Sequence, residues 1–297
     1  MRNAGWLMIM GACGAPSAPA TAPEPAVPWL KGQLHVHTNR SGDSETPPAE
    51  VAAWYRAHGF DFIVLTDHNV VGGLAPDEVP AGLLVLPGVE LTTNLQTCDP
   101  PDGDHPCLLH VNALVVDPEA HGAGVPSAGD ANRERVYVAE LALARRLGGI
   151  PHLNHPNFHF SASAALIAKL AGDAPLLVEI ENQTTDSMNA GDASHPSTQV
   201  LWDQALALGA TIYGTATDDA HHYADADRVR ARGEPAYTGD RGWVMVHATP
   251  EAAAIRAALA RGDFYASTGV TLESIAIDEG MVTVRAGRPL SLQCITS

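Results

Sequence analysis

Short, uninterrupted apolar runs, most of them followed by a helical pattern, recur from residue 33 to residue 260 and constrain the fold more than any other feature. Gln33–His37, Phe62–Thr66, Leu83–Val89, Leu108–Val116, Ile150–Asn154, Leu176–Ile180, Thr211–Thr215 and Gly242–His247 read as strands. Most of them lack polar alternation, so both faces are expected to be buried, as in a parallel sheet covered by helices. Helices are expected at Pro47–His58, Asn132–Leu147, Ser163–Leu170, Thr198–Leu208 and Pro250–Ala260. The first has Thr46 as N-cap, proline at N1 and Gly59 as stop. Seven or eight such units in 297 residues point to a closed or nearly closed α/β barrel. A hydrophobic content of 45% supplies one large core for it. The end of the chain breaks the pattern. Thr271–Ile277, Met281–Arg285 and Leu290–Ile295 alternate in polarity, which predicts a small antiparallel β appendage over residues 270–297.

The N-terminus reads as an address rather than as fold. An apolar run, Trp6 to Met10, is too short to span a bilayer and fits an export signal. Cys13 after Gly11-Ala12 resembles a bacterial lipobox, so residues 1–13 predict an exported lipoprotein, periplasmic or anchored to the outer membrane. A simple secretory signal cleaved near Ala15 or Ala18 is the alternative. Residues 14–29, rich in alanine and proline, form the tether. Cysteine usage agrees with export: Cys98 and Cys107 bracket a polar loop and are expected to pair, contributing roughly 2–3 kcal/mol in the chain-entropy model. A metal site with His105 is the weaker alternative, because four ligands are not visible there. Cys294 is left as a buried free thiol.

Fourteen histidines carry most of the chemical argument, because they and several carboxylates gather at strand ends. His35 and His37 are two apart on a strand and share a face. The loop after them offers Arg40 and Asp43. Thr66-Asp67-His68 ends the second run and Glu90 the third; His110 begins the fourth; His152 and His155 end the fifth. Asp218-Asp219-Ala220-His221-His222 follows the seventh. In a parallel barrel such ends meet on one face, where active sites are built. Either His152 or His155 fits as a donor. Asp67 points away from His68 and reads as a structural partner. Nitrogen and oxygen donors without sulfur suit zinc, manganese or iron. A net charge of −17 argues against a nucleic-acid surface, whereas bound cations would still attract a small anionic substrate.

In these elements the sequence resembles the polymerase and histidinol phosphatase (PHP) family of metallohydrolases. The matching pieces are the HxH of Leu34–His37, Thr66-Asp67-His68, Gly88-Val89-Glu90, His110, His155-Pro156 and Asp219-Ala220-His221, in order over residues 30–269. Residues 262–269 look like the carbaryl-hydrolase-like branch. The resemblance implies a distorted seven-stranded (β/α) barrel holding two or three divalent ions. One ion would take His35, His37, Glu90 and Asp219; a second would share Glu90 and take His110 and His155; a third would take Asp43, His68 and His221. The family's acidic residue normally lies five positions after the second histidine, where this chain has Gly42; Asp43 is one later.

The expected chemistry is metal-assisted hydrolysis. His221 and Arg40 are the candidate catalytic residues, with Arg40 and Arg241 as possible anion clamps. Phosphate esters are the favoured substrates. A carbamate, ester or amide hydrolase is the alternative, and a non-catalytic metal-binding surface lipoprotein is a third reading.

Overall fold

The computed structural model describes residues 27–120, 130–172, 175–278, 281–289 and 291. The export signal and lipobox Cys13, most of the tether, Cys294 and most of the third tail strand lie outside the described residues. No described helix is long and apolar enough to cross a membrane.

Nine strands form one sheet: β1 (Trp29–Gln33), β2 (Phe62–Leu65), β3 (Leu84–Leu95), β4 (Cys107–Leu114), β5 (Ile150–Leu153), β6 (Leu176–Asn182), β7 (Ile212–Thr217), β8 (Trp243–His247) and β9 (Phe264–Ser267). Their order is β7-β6-β5-β4-β3-β2-β1-β8-β9. The two edges meet where Tyr213 on β7 packs against Phe264 on β9, so the sheet is a nearly closed barrel. The helices are α1 (Pro48–Ala57), α2 (Arg133–Arg146), α3 (Ala164–Ala171), α4 (Thr198–Ala207), α5 (Ala226–Ala231) and α6 (Ala252–Arg261). A separate hairpin, β10 (Ser274–Asp278) with β11 (Met281–Arg285), forms the β appendage.

The nearly closed α/β barrel with its appendage is the fold the sequence implied, with differences that bear on the site. The sheet has nine strands, not seven, and it is not wholly parallel. β1-β2-β3 and β5-β6-β7 run parallel, but β4 is antiparallel to both β3 and β5, and β8 is antiparallel to β1. An apolar run buried on both faces reads the same in either direction, so composition could not reveal the reversal. That reversal explains His110: lying early in a strand that runs backwards, it reaches the same face as residues that end the parallel strands. The first strand stops at Gln33, and His35 and His37 lie in the segment beyond it. Pro47, not Thr46, is the cap of α1, without a side-chain hydrogen bond; Pro48 and Glu50 occupy its first turn. Asn132, Ser163 and Ser197 cap α2, α3 and α4 through side-chain oxygens. β9 and the short α5 were not expected as elements.

The core under the β3–β7 half is built around Leu91, Leu109, Val111, Tyr137, Leu141, Leu153 and Ile167, all essentially inaccessible. At Gly88 a Cβ would lie 2.6 Å from Val64 and within 3.1 Å of the Ala113 carbonyl, so only glycine lets β3 pass between its neighbours there. Cys98 and Cys107 form the expected disulfide, which closes the β3–β4 loop.

Candidate metal centre

All nine predicted donors converge at one mouth of the barrel. Val36 pairs with Ala220, and the His37 N–H donates to the Ala220 carbonyl (3.1 Å), so the HxH segment and the Asp219 loop are strapped together. His35 and His37, two residues apart, both turn inward as expected. His35 Nε2 lies 3.3 Å from Asp219 Oδ1 and 3.4 Å from Glu90 Oε1; His37 Nε2 lies 3.1 Å from Asp219 Oδ1 and 3.4 Å from Glu90 Oε2. Three sets of donor atoms, each within 4.8 Å of one another, result: His35, His37 and Asp219; Glu90, His110 and His155; and His37, Asp43, His68 and His221. The third set is complete despite the one-residue shift of Asp43, whose Oδ2 is 3.1 Å from His68 Nε2 and 3.3 Å from His221 Nε2. Gly42, at φ +88°, supplies the left-handed turn that brings Asp43 round.

His35 Nε2, His37 Nε2 and Glu90 Oε2 are buried without a hydrogen-bond partner among the described residues. Nitrogen lone pairs facing carboxylate oxygens, off hydrogen-bond geometry, fit a shared cation and are otherwise costly to bury. The residues present therefore suit divalent ions in their chemistry, count and placement.

The charges interlock. Burial opposes the charged form of every group here, and the neighbours overrule it in most. Glu90 is held well below the usual carboxylate range by His68 and His35, and Asp43 by hydrogen bonds from His221 and His68. Asp219, Glu179 and Glu90 raise His35, and Glu90 with Asp43 raises His68 to about 10. His37 goes the other way, to about 3, through burial and the stacked His221 ring 4.1 Å away.

A ring of buried polar groups holds the donors. Glu179 is fully used: its Oε1 meets His35 Nδ1 (2.7 Å) and Thr217 Oγ1 (2.8 Å), and its Oε2 accepts from the His155 N–H (2.7 Å) and Asn182 Nδ2 (2.9 Å). Asn182 also donates to Asp219 Oδ2 (3.0 Å), and Asn154 donates to Glu90 Oε1 (2.7 Å). Glu179 and Asn182, three apart, would face opposite ways on a regular strand; a bulge between Glu179 and Glu181 turns both inward. His221 Nδ1 lies 2.9 Å from the Asp219 carbonyl and donates to it, which leaves Nε2 for the Asp43 side. Asp67 accepts from the Thr38 N–H and hydroxyl and from Ser41 Oγ, the structural role read for it. Asp218 accepts three N–H groups, from Asp240, Arg241 and Gly242; burial still raises it to about 6. Beneath this layer Glu140 of α2 is wholly buried, accepts from Thr93 Oγ1 (2.8 Å) and is pushed well up by burial.

The sequence left His152 and His155 open, and the geometry separates them. His155 joins the Glu90 set, whereas His152 Nε2 is bound to Thr215 Oγ1 (2.8 Å) away from it. Arg40 is a correction. Its guanidinium donates to the Gly73 carbonyl (2.7 Å) and does not line the cavity; Arg241 likewise turns to the Gln183 carbonyl (3.1 Å). Sequence reasoning missed Glu179, Asn154 and Asn182, and the outer wall of Asn94, Leu108, Phe158, Thr184, Asp186 and Tyr237. A carboxylate inside the apolar run Leu176–Ile180 was the one available signal. The cavity above the donors measures about 220 Å³, and among the described residues no lysine or arginine lines it.

No family model and no curated protein matches the sequence. Among solved structures, the chain is similar to a two-domain protein from Bacteroides vulgatus containing a predicted PHP-like metal-dependent phosphoesterase. The TM-score is 0.50 at 18% identity, covering 91% of this chain and 79% of that one. A proposed metal-dependent phosphoesterase from Bifidobacterium adolescentis (TM-score 0.41, 15% identity, 66% and 90% covered) is more distant. So is an amidohydrolase from Chromobacterium violaceum with bound sulfate (0.40, 17%, 64% and 87%). At such identities the first likeness defines the fold: a barrel of PHP type.

Proposed function

We propose that this protein is a metal-dependent hydrolase that cleaves small phosphate esters, with His35, His37, Asp43, His68, Glu90, His110, His155, Asp219 and His221 as ligands of two or three zinc, manganese or iron ions. The observation that carries the phosphoester reading is the complete third donor set of Asp43, His68 and His221 with His37. A phosphoryl group presents several anionic oxygens and gains from each additional cation, whereas a carbamate has one carbonyl oxygen to polarise. When bound, divalent ions supply Lewis acidity, both to acidify a water and to polarise the scissile group. The chain does the rest. Glu179 and Asn182 fix His35 and Asp219, Leu108 and Phe158 exclude water from one side of the cavity, and Asn94 and Thr184 offer hydrogen bonds to the substrate.

A second reading, carbamate or ester hydrolysis as in the carbaryl-hydrolase-like branch, is favoured by one observation. Among the described residues, the cavity wall lacks the lysine or arginine that commonly clamps phosphate. The completeness of the donor sets weighs against a non-catalytic module. We also propose export, with Cys13 as a lipid anchor; the Cys98–Cys107 disulfide supports an oxidising address.

The deciding experiment is a hydrolysis screen of metal-loaded protein against phosphate esters, aryl carbamates and aryl esters, with elemental analysis of the same sample. Two or three ions per chain, phosphate-ester turnover abolished by chelator, and inhibition by inorganic phosphate or vanadate are expected. Turnover of carbamates alone would promote the second reading; less than one ion per chain after reconstitution would end both.

A further inference from the structure

We infer that one face of the β10–β11 hairpin lies on the lipid bilayer, a second membrane contact that turns the barrel mouth toward the aqueous phase. This rests on the reading of Cys13 as a lipid anchor. In the hairpin, Ile275 pairs with Val284 and Ile277 with Val282, so these four side chains share one face. Asp278, Thr283 and Arg285 stand on the other. The apolar face rises out of the protein. Ile275 and Val284, at its base, are half-buried, whereas Ile277 and Val282 are 76% and 61% exposed. These two stand directly opposite each other, so they form a continuous patch and are not scattered surface residues.

The size of the face decides between occupants. Two strands of five residues present roughly 17 Å by 10 Å. That is a small fraction of the roughly 800 Å² that each partner of a standard protein interface buries. A second copy therefore gains too little from it. A bilayer sets no such minimum for a protein already anchored, because the anchor makes the contact intramolecular. The chain is acidic overall, at −17, so the attraction comes from apolar contact and not from anionic headgroups.

The tether points to the same occupant. The described chain begins at Val27, and Val27, Pro28 and Trp29 share one groove with Glu273, Ser274 and Ile275. The stretch that leads back to Cys13 thus leaves the protein beside the base of the apolar face. Trp29 packs against His247 and Tyr265, with ring centroids 4.9 and 5.1 Å away, and such amphipathic rings suit the headgroup layer. Trp29 also opens β1, whose other end leads to His35 and His37. Groove and hairpin therefore sit at the end of the barrel opposite the metal centre. A tether of residues 14–26 could extend about 45 Å and leave the barrel free to tumble. The hairpin contact removes that freedom and keeps the mouth open to soluble substrate.

The test uses full-length lipidated protein in vesicles of phosphatidylcholine and phosphatidylethanolamine. With Cys294→Ser, Cys13 acylated and Cys98 paired with Cys107, an environment-sensitive fluorophore on Ile277→Cys is the sole label. Quenching by doxyl-labelled lipid should be about threefold stronger there than on Thr283→Cys, across the sheet. It should be absent on Val70→Cys, which is exposed in the loop after β2 on the mouth side. An acylated protein with no quenching at 277, or with equal quenching at 283 or 70, overturns the inference and leaves the anchor reading intact. Blue-shifted emission at 277 without quenching shows that a second copy, or the chain beyond residue 291, covers the face, and overturns it equally. Mass spectrometry that finds no acyl chain on Cys13 overturns the anchor reading and this inference with it.

Discussion

Glu90 and Asn94 lie four residues apart on β3, and they show two ways of building one site. Glu90 is 1% exposed and lies within 3.5 Å of nitrogens of His35, His37, His68, His110 and His155. Asn94 is exposed, and one imidazole, that of His110, meets its side-chain oxygen at 2.8 Å. The floor of the cavity is over-determined: each donor is fixed by several partners, and most of those partners are fixed in turn by Glu179, Asn154 or Asn182. At the rim, Asn94 on β3 and Leu108 on β4 meet residues of the segments that follow β5, β6 and α5. A site of this kind separates what must not move from what can be adjusted.

The comparison can be broken at several points. Glu90→Gln should do the most, lowering kcat/KM by roughly three orders of magnitude and cutting bound metal, because one carboxylate serves five imidazoles. Near-normal metal content in that variant would show the floor is not shared as described. Glu179→Gln tests whether the supports matter: metal affinity should fall about 10–100-fold with the fold retained, as read by competition with a chelator. Asp43→Asn should lower phosphate-ester turnover about tenfold, less than Glu90→Gln, because Asp43 is half-exposed and serves one donor set. Equal damage from both would show that the half-exposed donor set matters as much as the buried ones. Phe158→Ala should raise KM a few-fold with metal content unchanged.

The smallest effect sharpens the comparison from below. The folded protein holds the proton of Glu140 more tightly than the unfolded chain does, whose carboxyl titrates near ~4.3. Its contribution to stability is thus full below that pH and is lost as pH rises. Glu140→Gln lacks that loss. It should melt higher than the wild type at pH 8, by about 2–4 °C for each kcal/mol relieved, with the gain vanishing toward pH 4. Thermal melts at the two pH values check this.

The floor was legible in the sequence because its residues break a pattern: a histidine or carboxylate at the end of an apolar run is conspicuous. All nine donors and the barrel could be read this way. Strand direction could not, since Leu108–Val116 puts His110 and Asn112 on one face whichever way it runs. Asn182 was hidden by the bulge before it, which no alternation of residue types predicts. Arg40 was misread because sequence gives the loop that carries a guanidinium but not its reach, and the Gly73 carbonyl captures it. The rim comes from loops that are distant in sequence, so nothing local marks Phe158, Asp186 and Tyr237 as neighbours.

The backward run of β4 has an evolutionary consequence. Because β3 and β4 are joined as a hairpin, the ladder that pairs Glu90 with Asn112 and Thr92 with His110 is set inside the sheet. The connecting loop, closed by Cys98–Cys107, hangs beyond it and rests through His105 against Phe160. Residues can be inserted, lost or exchanged between the two cysteines while the ladder stays in register. Lineages carrying this barrel could therefore vary this stapled loop by drift, with the ladder beneath it inherited unchanged.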